Sequence, residues 1–400
     1  MSEPVDRIPA QPWMTDPSTR AVLAALGEAR FVGGCVRDAL LGRAILDIDI
    51  ATPHPPDAVI RRLEAAGIKV VPTGLAHGTV TAVVASRHFE ITTLRRDVET
   101  FGRHARVAFT DDWAADAARR DFTMNALFLG GDGAVFDPMG GLADLRAGRV
   151  RFVGDAETRI REDVLRLLRF YRFQAHYGRG EADAAARAAC RALAPLLPTL
   201  SGERIAAETL KLLAAPDPMP ALALMAEDGV LAVLYPEARR RDRLARLIAL
   251  EPLPDALRRL GALIAGDPAP LAERLRLSTE QRDRLLAFAA PPWPIDLAAD
   301  ERVQRRALHH LDAPLYRDLI LLRAADSGET TTLPSLLALA ASWQPQRFPL
   351  KGRDVTALGV PAGRQVGRLL KALDAWWEEG DFRADRAACL AELRRRATAG

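Results

Sequence analysis

With 400 residues, of which 49% are hydrophobic and 27% charged, the chain is long enough for two to four structural units and too apolar for intrinsic disorder. Its formal net charge of +3 neither requires nor excludes a nucleic-acid partner, so the positions of the arginines matter more than their number. No apolar stretch approaches the roughly 20 residues of a membrane helix, and no basic start followed by an apolar run indicates a signal peptide. Cys35, Cys190 and Cys389 are too far apart for a metal or redox motif, so we expect a cytoplasmic protein without a membrane partner.

Short β-rich segments alternate with turn signals and helical patterns in the first 150 residues. These segments are Asp47–Ala51, Ile68–Pro72, Thr79–Val84 and His88–Leu94. After Gly154, Ala/Leu/Arg patterns with a 3.6-residue period continue to the C-terminus, interrupted by proline-bearing stretches. The sequence therefore predicts an N-terminal α/β head, a mixed sheet with helices, followed by an all-α remainder.

Two glycines, Gly33 and Gly34, stand between a short apolar run and a predicted helix, Cys35–Leu41. A glycine pair at a strand-to-helix turn lets backbone N–H groups approach a triphosphate closely, and the helix N-terminus favours anions. Arg37 in the first turn is unfavourable for the helix dipole. We therefore expect Arg37 to bind a phosphate rather than to stabilise the helix.

Three carboxylates are candidates for a metal site. Asp47 and Asp49 are two residues apart in a predicted strand, so both point to one face of the sheet. Glu90 lies in a second predicted strand, and it completes a carboxylate triad if the two strands are neighbours. Such a set suits two Mg²⁺ ions about 3.5–4 Å apart, as in nucleotidyl transfer, since oxygen ligands favour Mg²⁺ over zinc. The alternative is a solvated strand face with ordinary charges.

The segment RRDFTMNA, residues 119–126, offers groups for a nucleotide. Arg120 could reach a triphosphate, and Asp121 or Asn125 could bind a ribose hydroxyl. The alternative is a helix start capped by Asp or Thr.

A long helix is predicted over Arg159–Tyr177, where Asp163, Arg166, Arg169 and Arg172 recur every three residues. An ordinary amphipathic helix would also explain this pattern. Cytosine and adenine both present an amino donor beside a ring-nitrogen acceptor. Asp163 could accept from the amino group while Arg166 donates to the ring nitrogen, a pair that would reject uracil and guanine. Arg169 and Arg172 could then bind phosphates.

Taken together and in this order, seven motifs resemble the class II CCA-adding tRNA nucleotidyltransferases. They are GGCVRD, LGRAILDIDIAT, FEITTLRRD, GRHARVAF, RRDFTMNAL, DPMGGLADL and RIREDVLRLLRFYRF. The resemblance extends almost without gaps from Phe31 to about Tyr177, a region that the family shares with bacterial poly(A) polymerases.

The resemblance implies a role for each candidate residue. It makes Asp47 and Asp49 the metal-binding aspartates, which would hold Mg²⁺, and Glu90 the third acidic residue of the catalytic site. The residues that it implies for contacts with the phosphates and the ribose are Gly34, Arg37, Arg120 and Asp121.

Base selection follows from the same resemblance. It implies that Asp163 and Arg166 form the pair that templates C and A, and that Arg169 and Arg172 are further nucleotide-binding arginines. It also implies that roughly Arg95–Asp112 is a flexible loop needed for the switch from C to A.

Four domains are expected from the resemblance and the helical pattern. They are a nucleotidyltransferase head with the metal and triphosphate site (1–150), a helical neck with the base-selecting helix (151–215), a helical body (216–345) and a helical tail that contacts tRNA (346–400). In the tail, glycines and basic residues of Pro349–Leu370 suit close approach to phosphates, although a capped helix pair with exposed charges is the alternative. An arginine cluster over Arg239–Arg246 could contact RNA or form a solvated face.

The sequence thus predicts an enzyme that adds C, C and A to tRNA lacking its 3′ CCA end, from CTP and ATP, with release of pyrophosphate. Two alternatives remain at this point: a poly(A) polymerase on the same head, and a catalytically inactive RNA-binding protein. Nothing in the sequence fixes the oligomeric state.

Overall fold

The computed structural model describes residues 3–45, 47–101 and 104–398. The chain forms two compact units, one ending at Pro236 and the other beginning at Glu237. This boundary falls inside the segment 216–345 that we predicted as one helical body, and the division into four domains stays a prediction. Gly102 and Arg103, within the expected loop Arg95–Asp112, lie outside the described residues.

The first unit contains the sheet. Its described strands are β1 (Asp6–Arg7), β2 (Arg30–Val32), β3 (Ile48–Thr52), β4 (Lys69–Gly74), β5 (Thr79–Val84), β6 (Arg87–Thr93), β7 (Arg95–Phe101), β8 (His104–Phe109), β9 (Phe128–Leu129) and β10 (Ala134–Phe136). Eight of them form a sheet in the order β1-β10-β9-β2-β3-β6-β5-β4, and β7 pairs with β8 in a separate ribbon. Strands β3 and β6 run parallel, while the other recorded pairs are antiparallel.

Alternation of apolar and acidic residues determines which side chains of β3 and β6 lie on each face of the sheet. Ile48 and Ile50 are buried, and so is Phe89 in β6. Because side chains alternate along a strand, Asp49 and Glu90 take the opposite face. The mixed sheet with helices confirms the predicted α/β head, and β3 begins one residue later than expected, after Asp47.

Helices surround the sheet and continue beyond it. In the first unit they are α1 (Pro12–Thr15), α2 (Pro17–Leu26), α3 (Gly34–Leu40), α4 (Pro56–Ala65), α5 (Trp113–Ala118), α6 (Gly141–Ala147), α7 (Ala156–Glu162), α8 (Leu165–Tyr177), α9 (Ala184–Leu193), α10 (Gly202–Leu213), α11 (Met219–Glu227) and α12 (Val230–Leu234). Short 3₁₀ turns occupy Leu75–His77, Thr123–Asn125 and Ala194–Thr199. Helix α3 follows β2 directly and packs on β2 and β3, while α10 packs along α8.

The prediction of a single helix over Arg159–Tyr177 is wrong. The chain leaves the helical conformation at Asp163, which has φ −150° and ψ 107°, and so α7 and α8 are separate. The Asp163 carboxylate accepts a hydrogen bond from the Leu165 amide at 3.1 Å. Aspartate side chains form such local bonds in competition with a continuous helix, which explains the break.

The second unit consists of helices joined by loops, with no strand among its described residues. Its helices are α13 (Arg241–Leu250), α14 (Ala256–Leu263), α15 (Ala269–Arg274), α16 (Thr279–Ala289), α17 (Glu301–Leu311), α18 (Ala313–Ser327), α19 (Leu333–Ser342), α20 (Gly352–Thr356), α21 (Arg364–Glu379) and α22 (Arg386–Thr398). These helices confirm the all-α remainder. Over the ranges that the structure describes, none is both long and apolar enough to cross a lipid bilayer.

A buried ion-pair network holds α14 in the second unit. Glu251, whose side chain is 1% exposed, accepts hydrogen bonds from Arg258 and Arg259, each at 2.5 Å. Arg258 also contacts Asp318 of α18 at 2.9 Å, and Arg284 of α16 contacts the second oxygen of the same carboxylate at 2.8 Å. Because these charges are out of water, each depends on its partners.

Replacing Glu251 by glutamine should therefore lower the free energy of unfolding by about 3–5 kcal/mol, the usual cost of removing one partner of a buried ion pair. Urea unfolding followed by circular dichroism measures the change. The control is Glu280→Gln on α16, where the side chain is exposed and the effect should stay below about 0.5 kcal/mol. A loss of less than about 1 kcal/mol in Glu251→Gln would contradict a role for this network in stability.

Candidate active site

Three carboxylates lie near one edge of the parallel strand pair. Asp49 of β3 lies directly opposite Glu90 of β6 in the register, and Asp47 immediately precedes β3. Burial and the negative charges of Glu90 and Asp47 together raise the pKa of Asp49 to about 6, against the opposing effect of the Arg120 charge. Asp49 is thus a carboxylate that a nearby cation would stabilise in its charged form.

The donor set at this edge fits a divalent cation bound through oxygen. Within residues 3–45, 47–101 and 104–398, no three His, Cys, Asp or Glu side chains are close enough to form a ready-made metal centre. Asp47 and Asp49 nevertheless offer carboxylate oxygens two residues apart, and the one side-chain hydrogen bond recorded to Asp49, from the Cys35 thiol, goes to its backbone carbonyl and leaves the carboxylate available. Both observations suit a hard cation that brings waters or phosphate oxygens as its remaining ligands.

Gly33 lies close to both the carboxylate edge and Arg120. It precedes α3 with φ 72° and ψ −130°, a conformation that residues with a side chain rarely adopt. A Cβ atom there would lie 3.6 Å from Oδ2 of Asp49 and 3.8 Å from Nη1 of Arg120. The glycine therefore brings a carboxylate, a guanidinium and the backbone turn within van der Waals reach of one another.

Asp116 on α5 holds two arginines beside this turn. Its side chain is 1% exposed and contacts Arg119 and Arg120, each at 2.8 Å. The sequence analysis missed Asp116, although its spacing of three and four residues from the arginines on a helix was a usable signal. Because the charge of Asp116 is buried, it fixes the direction of both guanidinium groups.

An open cavity of about 610 Å³ lies next to these residues. It brings together all nine residues predicted to bind nucleotide: Gly33, Gly34, Arg37, Arg120, Asp121, Asp163, Arg166, Arg169 and Arg172. The other lining residues are Arg119, Asn125, Leu165, Phe173 and Arg204. Seven of the lining side chains are arginines and two are aspartates, so the cavity has a strong excess of positive charge.

A buried hydrogen-bond network forms one wall of the cavity. Arg37 donates to Oδ1 of Asn125 at 2.8 Å, and Asn125 donates to Asp121 at 2.9 Å. Arg169 donates to the other oxygen of Asp121, through Nε at 2.7 Å. Burial raises the pKa of Asp121, but the Arg169 charge and the hydrogen bonds outweigh it, so the pKa falls to about 2. Asp121 is therefore charged at neutral pH and holds Arg169.

Arg37 has further partners besides Asn125. It is buried, contacts Asp38 at 2.8 Å, and lies over the ring of Tyr177 with 4.2 Å between the guanidinium carbon and the ring centroid. These contacts orient Arg37 toward the cavity without using all of its five N–H donors.

Helix α10 contributes two residues that the sequence analysis assigned no role. Arg204 donates to both oxygens of Asp163, at 3.0 and 2.8 Å. Four residues later, Glu208 contacts Arg172 at 2.7 Å. This i, i+4 spacing puts both on one face of α10, against α8.

The stripe of four residues predicted on one helix needs correction. Asp163 lies in the break before α8, and its carboxylate accepts from Arg204 and from the Leu165 amide, whereas Arg166 reaches Asp163 only through its backbone amide. Arg166 contacts Glu162 at 2.6 Å. Asp163 and Arg166 both line the cavity, so they can approach the same ligand from different elements.

Two family models match successive segments of this chain. The model of the poly A polymerase head domain matches residues 29–151, and that of a probable RNA and SrmB-binding site of polymerase A matches residues 183–241. The mitochondrial CCA tRNA nucleotidyltransferase 1 of mouse (Mus musculus) is 33% identical over 379 residues, covering 92% of this chain and 87% of the mouse protein.

Two bacterial CCA-adding enzymes are also similar to this chain. The CCA-adding enzyme of Geobacillus thermodenitrificans is 42% identical over 224 residues, which cover 56% of this chain and 54% of that enzyme. The crystal structure of the Bacillus stearothermophilus CCA-adding enzyme in complex with CTP superposes with a TM-score of 0.78 at 30% identity, covering 96% of this chain and 99% of that one.

Replacing Gly33 by alanine should lower the free energy of unfolding by about 1–3 kcal/mol, because the substitution forces a side-chain-bearing residue into a strained backbone conformation. Thermal or urea unfolding measures the difference. The neighbouring variant Gly34→Ala is the control, since Gly34 has a helical backbone and its Cβ would meet only Nη2 of Arg37, at an ordinary 3.6 Å. Equal losses in the two variants would contradict the strain argument.

Proposed function

Since this chain belongs to the family of CCA-adding tRNA nucleotidyltransferases, we propose that it adds C, C and A to the 3′ end of tRNA from CTP and ATP, without a nucleic-acid template. The observation that carries this proposal is the position of Gly33. It lines the arginine-rich cavity and also lies beside Asp49, so a nucleotide in the cavity would present a phosphate to the carboxylate edge.

The triphosphate binds to the arginines nearest that edge. Arg120 and Arg119 are held by Asp116, and Arg37 is held by Asn125 and Asp38, so their guanidinium groups stay in place when no ligand is bound. Arginines fixed in this way bind phosphate oxygens at little further cost in side-chain entropy. The turn at Gly33 and Gly34 adds backbone N–H groups at the start of α3.

In the reaction, the 3′-oxygen of the tRNA forms a bond to the α-phosphorus, and the bond from that phosphorus to the bridging oxygen breaks, releasing pyrophosphate. Glu90 accepts the proton of the attacking hydroxyl, and Asp47 and Asp49 would hold Mg²⁺. When bound, Mg²⁺ would lower the pKa of the hydroxyl and stabilise the charge on the phosphates. Arg120, near Asp49, adds positive charge where the leaving group develops.

Asp163 and Arg166 read the base. Each is held by an ion pair, with Arg204 and with Glu162 respectively, and each keeps unused hydrogen-bonding capacity because a carboxylate can accept about four bonds and a guanidinium can donate five. Cytosine and adenine satisfy both residues, whereas uracil and guanine present a carbonyl to the carboxylate. Arg169 and Arg172 lie one and two turns further along α8 and line the same cavity.

Basic residues in α20 and α21 are suited to the tRNA backbone. Arg353, Arg364, Arg368 and Lys371 are exposed, and none of them forms an ion pair with a residue that the structure describes. Such unpaired cations can release counterions from phosphates on binding. Gly363 and Gly367, with open space where a Cβ would lie, permit close approach of the backbone.

A reducing compartment, such as the cytoplasm, is the proposed location. All three cysteines are buried and free. Burial raises the pKa of Cys35 to about 12, so this thiol, which is next to the metal edge, stays protonated and unreactive.

Asp163→Ala should lower kcat/KM for CTP and ATP by about 10–100-fold and reduce the preference over UTP and GTP, because a charged hydrogen bond to the base contributes about 1.5–3 kcal/mol. The assay measures incorporation of each of the four nucleotides into tRNA that lacks its CCA end. Glu157→Ala on α7, a half-exposed side chain outside the cavity, is the control.

The wild-type enzyme should add two C residues and then one A in this assay. Long tails made from ATP alone would instead indicate a poly(A) polymerase, and a complete lack of incorporation would indicate an RNA-binding protein. An unchanged nucleotide preference in Asp163→Ala would remove Asp163 from base selection.

Asp49→Asn should lower the rate of incorporation by about 10³-fold or more, since metal-assisted charge stabilisation contributes several kcal/mol and each 1.36 kcal/mol is a factor of ten. EDTA should abolish the wild-type activity, and an excess of Mg²⁺ should restore it. Asp57→Asn, an exposed aspartate at the start of α4, should keep near-wild-type activity. Full activity of the wild type in EDTA would contradict the metal assignment.

A further inference from the structure

A second cavity lined by arginines lies within the Glu237–Gly400 unit. Its volume is about 280 Å³, and it is enclosed by α13, α14, α16 and α18. The apolar part of its wall includes Leu285, Phe288, Leu319 and Leu322, each at most 8% exposed. None of the residues proposed above for nucleotide transfer takes part in it.

The charged part of the wall has more cations than anions. Arg240, Arg243 and Arg323 line the cavity together with one carboxylate, Asp326. Arg243 contacts Asp326 at 2.8 Å, and Arg240 contacts the other oxygen of the same group. Three guanidinium groups against one carboxylate leave a net charge of about +2 in a small volume, which favours an anionic ligand.

Arg243 shows that this positive charge is incompletely compensated. Its side chain is 9% exposed, and its Nε is buried without a hydrogen-bond partner among the described residues. Burial lowers the pKa of Arg243, and the charges of Arg240 and Arg323 lower it further, against the opposing effect of Asp326. An anion in the cavity would relieve this repulsion.

The start of α13 adds a second feature that favours an anion. Arg240 is the residue before the helix and does not cap it with its side chain, and the recorded backbone hydrogen bonds of the Asp242 carboxylate in the first turn come from the Arg243 amide and from its own. A ten-residue helix carries a partial positive charge at this end. Both Arg240 and the helix start therefore present positive charge to the same cavity.

No ion pair with a described carboxylate explains the position of Arg323. It is exposed on α18, and no described carboxylate lies within ion-pair distance of it. The attachment of α13 to α18 is already provided by Asp326 with Arg240 and Arg243. Neither interpretation of the Arg239–Arg246 cluster from sequence is sufficient, since Arg243 is neither solvated nor an exposed RNA contact.

We propose that this cavity binds one nucleoside phosphate unit, with its base against Phe288 and Leu285 and its phosphate against Arg240, Arg323 and the start of α13. The apolar wall accepts a flat ring, and the guanidinium groups accept the phosphate oxygens. The unit is either a free nucleotide or an unstacked nucleotide of bound RNA. The site extends the proposed function and does not depend on it, because its residues are separate from those of nucleotide transfer.

Equilibrium dialysis of the full chain against AMP tests the binding. Arg323→Ala should remove one molar equivalent of bound AMP at saturation, or weaken that equivalent by at least about 10-fold. Arg317→Ala is the matched control, since Arg317 is also exposed on α18, forms no ion pair with a described residue and does not line the cavity. Equal AMP binding by wild type and Arg323→Ala, or an equal loss in Arg317→Ala, would overturn the proposal.

A second variant separates the two halves of the site. Ala289, exposed at the end of α16, lines the cavity, and Ala289→Phe fills its apolar part while leaving every arginine in place. This variant should lose the same equivalent of AMP and keep binding of inorganic phosphate, whereas Arg323→Ala should weaken both. Retention of AMP binding in Ala289→Phe would overturn the placement of the base.

A kinetic comparison of Arg323→Ala, Ala289→Phe and Arg317→Ala distinguishes a nucleotide of bound RNA from a free nucleotide as the ligand. A rise of about fivefold or more in KM for tRNA in the first two variants, with an unchanged KM for CTP, supports a nucleotide of RNA. Loss of AMP binding with an unchanged KM for tRNA supports a free nucleotide. A similar rise in Arg317→Ala would indicate a general effect of charge and would overturn the RNA assignment.

Discussion

Buried carboxylates that hold crowded arginines in place are the constraint on which the nucleotide cavity depends. Seven guanidinium groups line about 610 Å³, and like charges at such distances repel one another. The buried Asp116, Asp121 and Glu208 each contact one or two of these arginines, and the partly exposed Glu162 contacts Arg166. The carboxylates lower the repulsion while the N–H groups that face the cavity remain free for a ligand.

This arrangement also explains why the cavity spans several elements. Its seven arginines are on α3, on the turn after α5, on α8 and on α10, and ion pairs with carboxylates tie those elements together. Asp121, for example, follows α5 in sequence, yet it binds Arg169 of α8. The ion pairs that orient the ligand-binding groups are thus the same ones that join the sheet to the helices after it.

Much of the fold and of the site could be predicted from sequence, because the relevant signals are local. Alternation of apolar and acidic residues located β3 and β6, and the glycine pair located the turn before α3. The break at Asp163 was missed because periodicity registers spacing but not the competition of an aspartate side chain with the helix. Glu208 was missed because its partner, Arg172, lies on another helix and is defined by packing, whereas Asp116 was missed although its helical spacing from Arg119 and Arg120 was a usable signal.

Ion pairs between residues that are distant in sequence could not be predicted either. Nothing local predicted that Arg204 would meet Asp163, since 41 positions separate them. In the second unit, the sequence showed an arginine cluster but not Asp326, which is more than 80 positions away from Arg240. Charge patterns in sequence therefore indicate where cations lie, and only the folded chain shows which of them remain available.

The parallel pairing of β3 with β6 affects the order in which the strands pair during synthesis of the chain. In the sheet, β6 is inserted between β3 and β5, although both of these precede it in the chain. While the chain emerges from the ribosome, β3 can pair with β2 and β4 with β5, but Asp49 lacks its partner Glu90 until β6 arrives 41 residues later. Such non-local pairing is slow relative to hairpin formation. The carboxylate edge is accordingly a late product of folding, and a nascent chain cannot assemble it before most of the sheet has been synthesised.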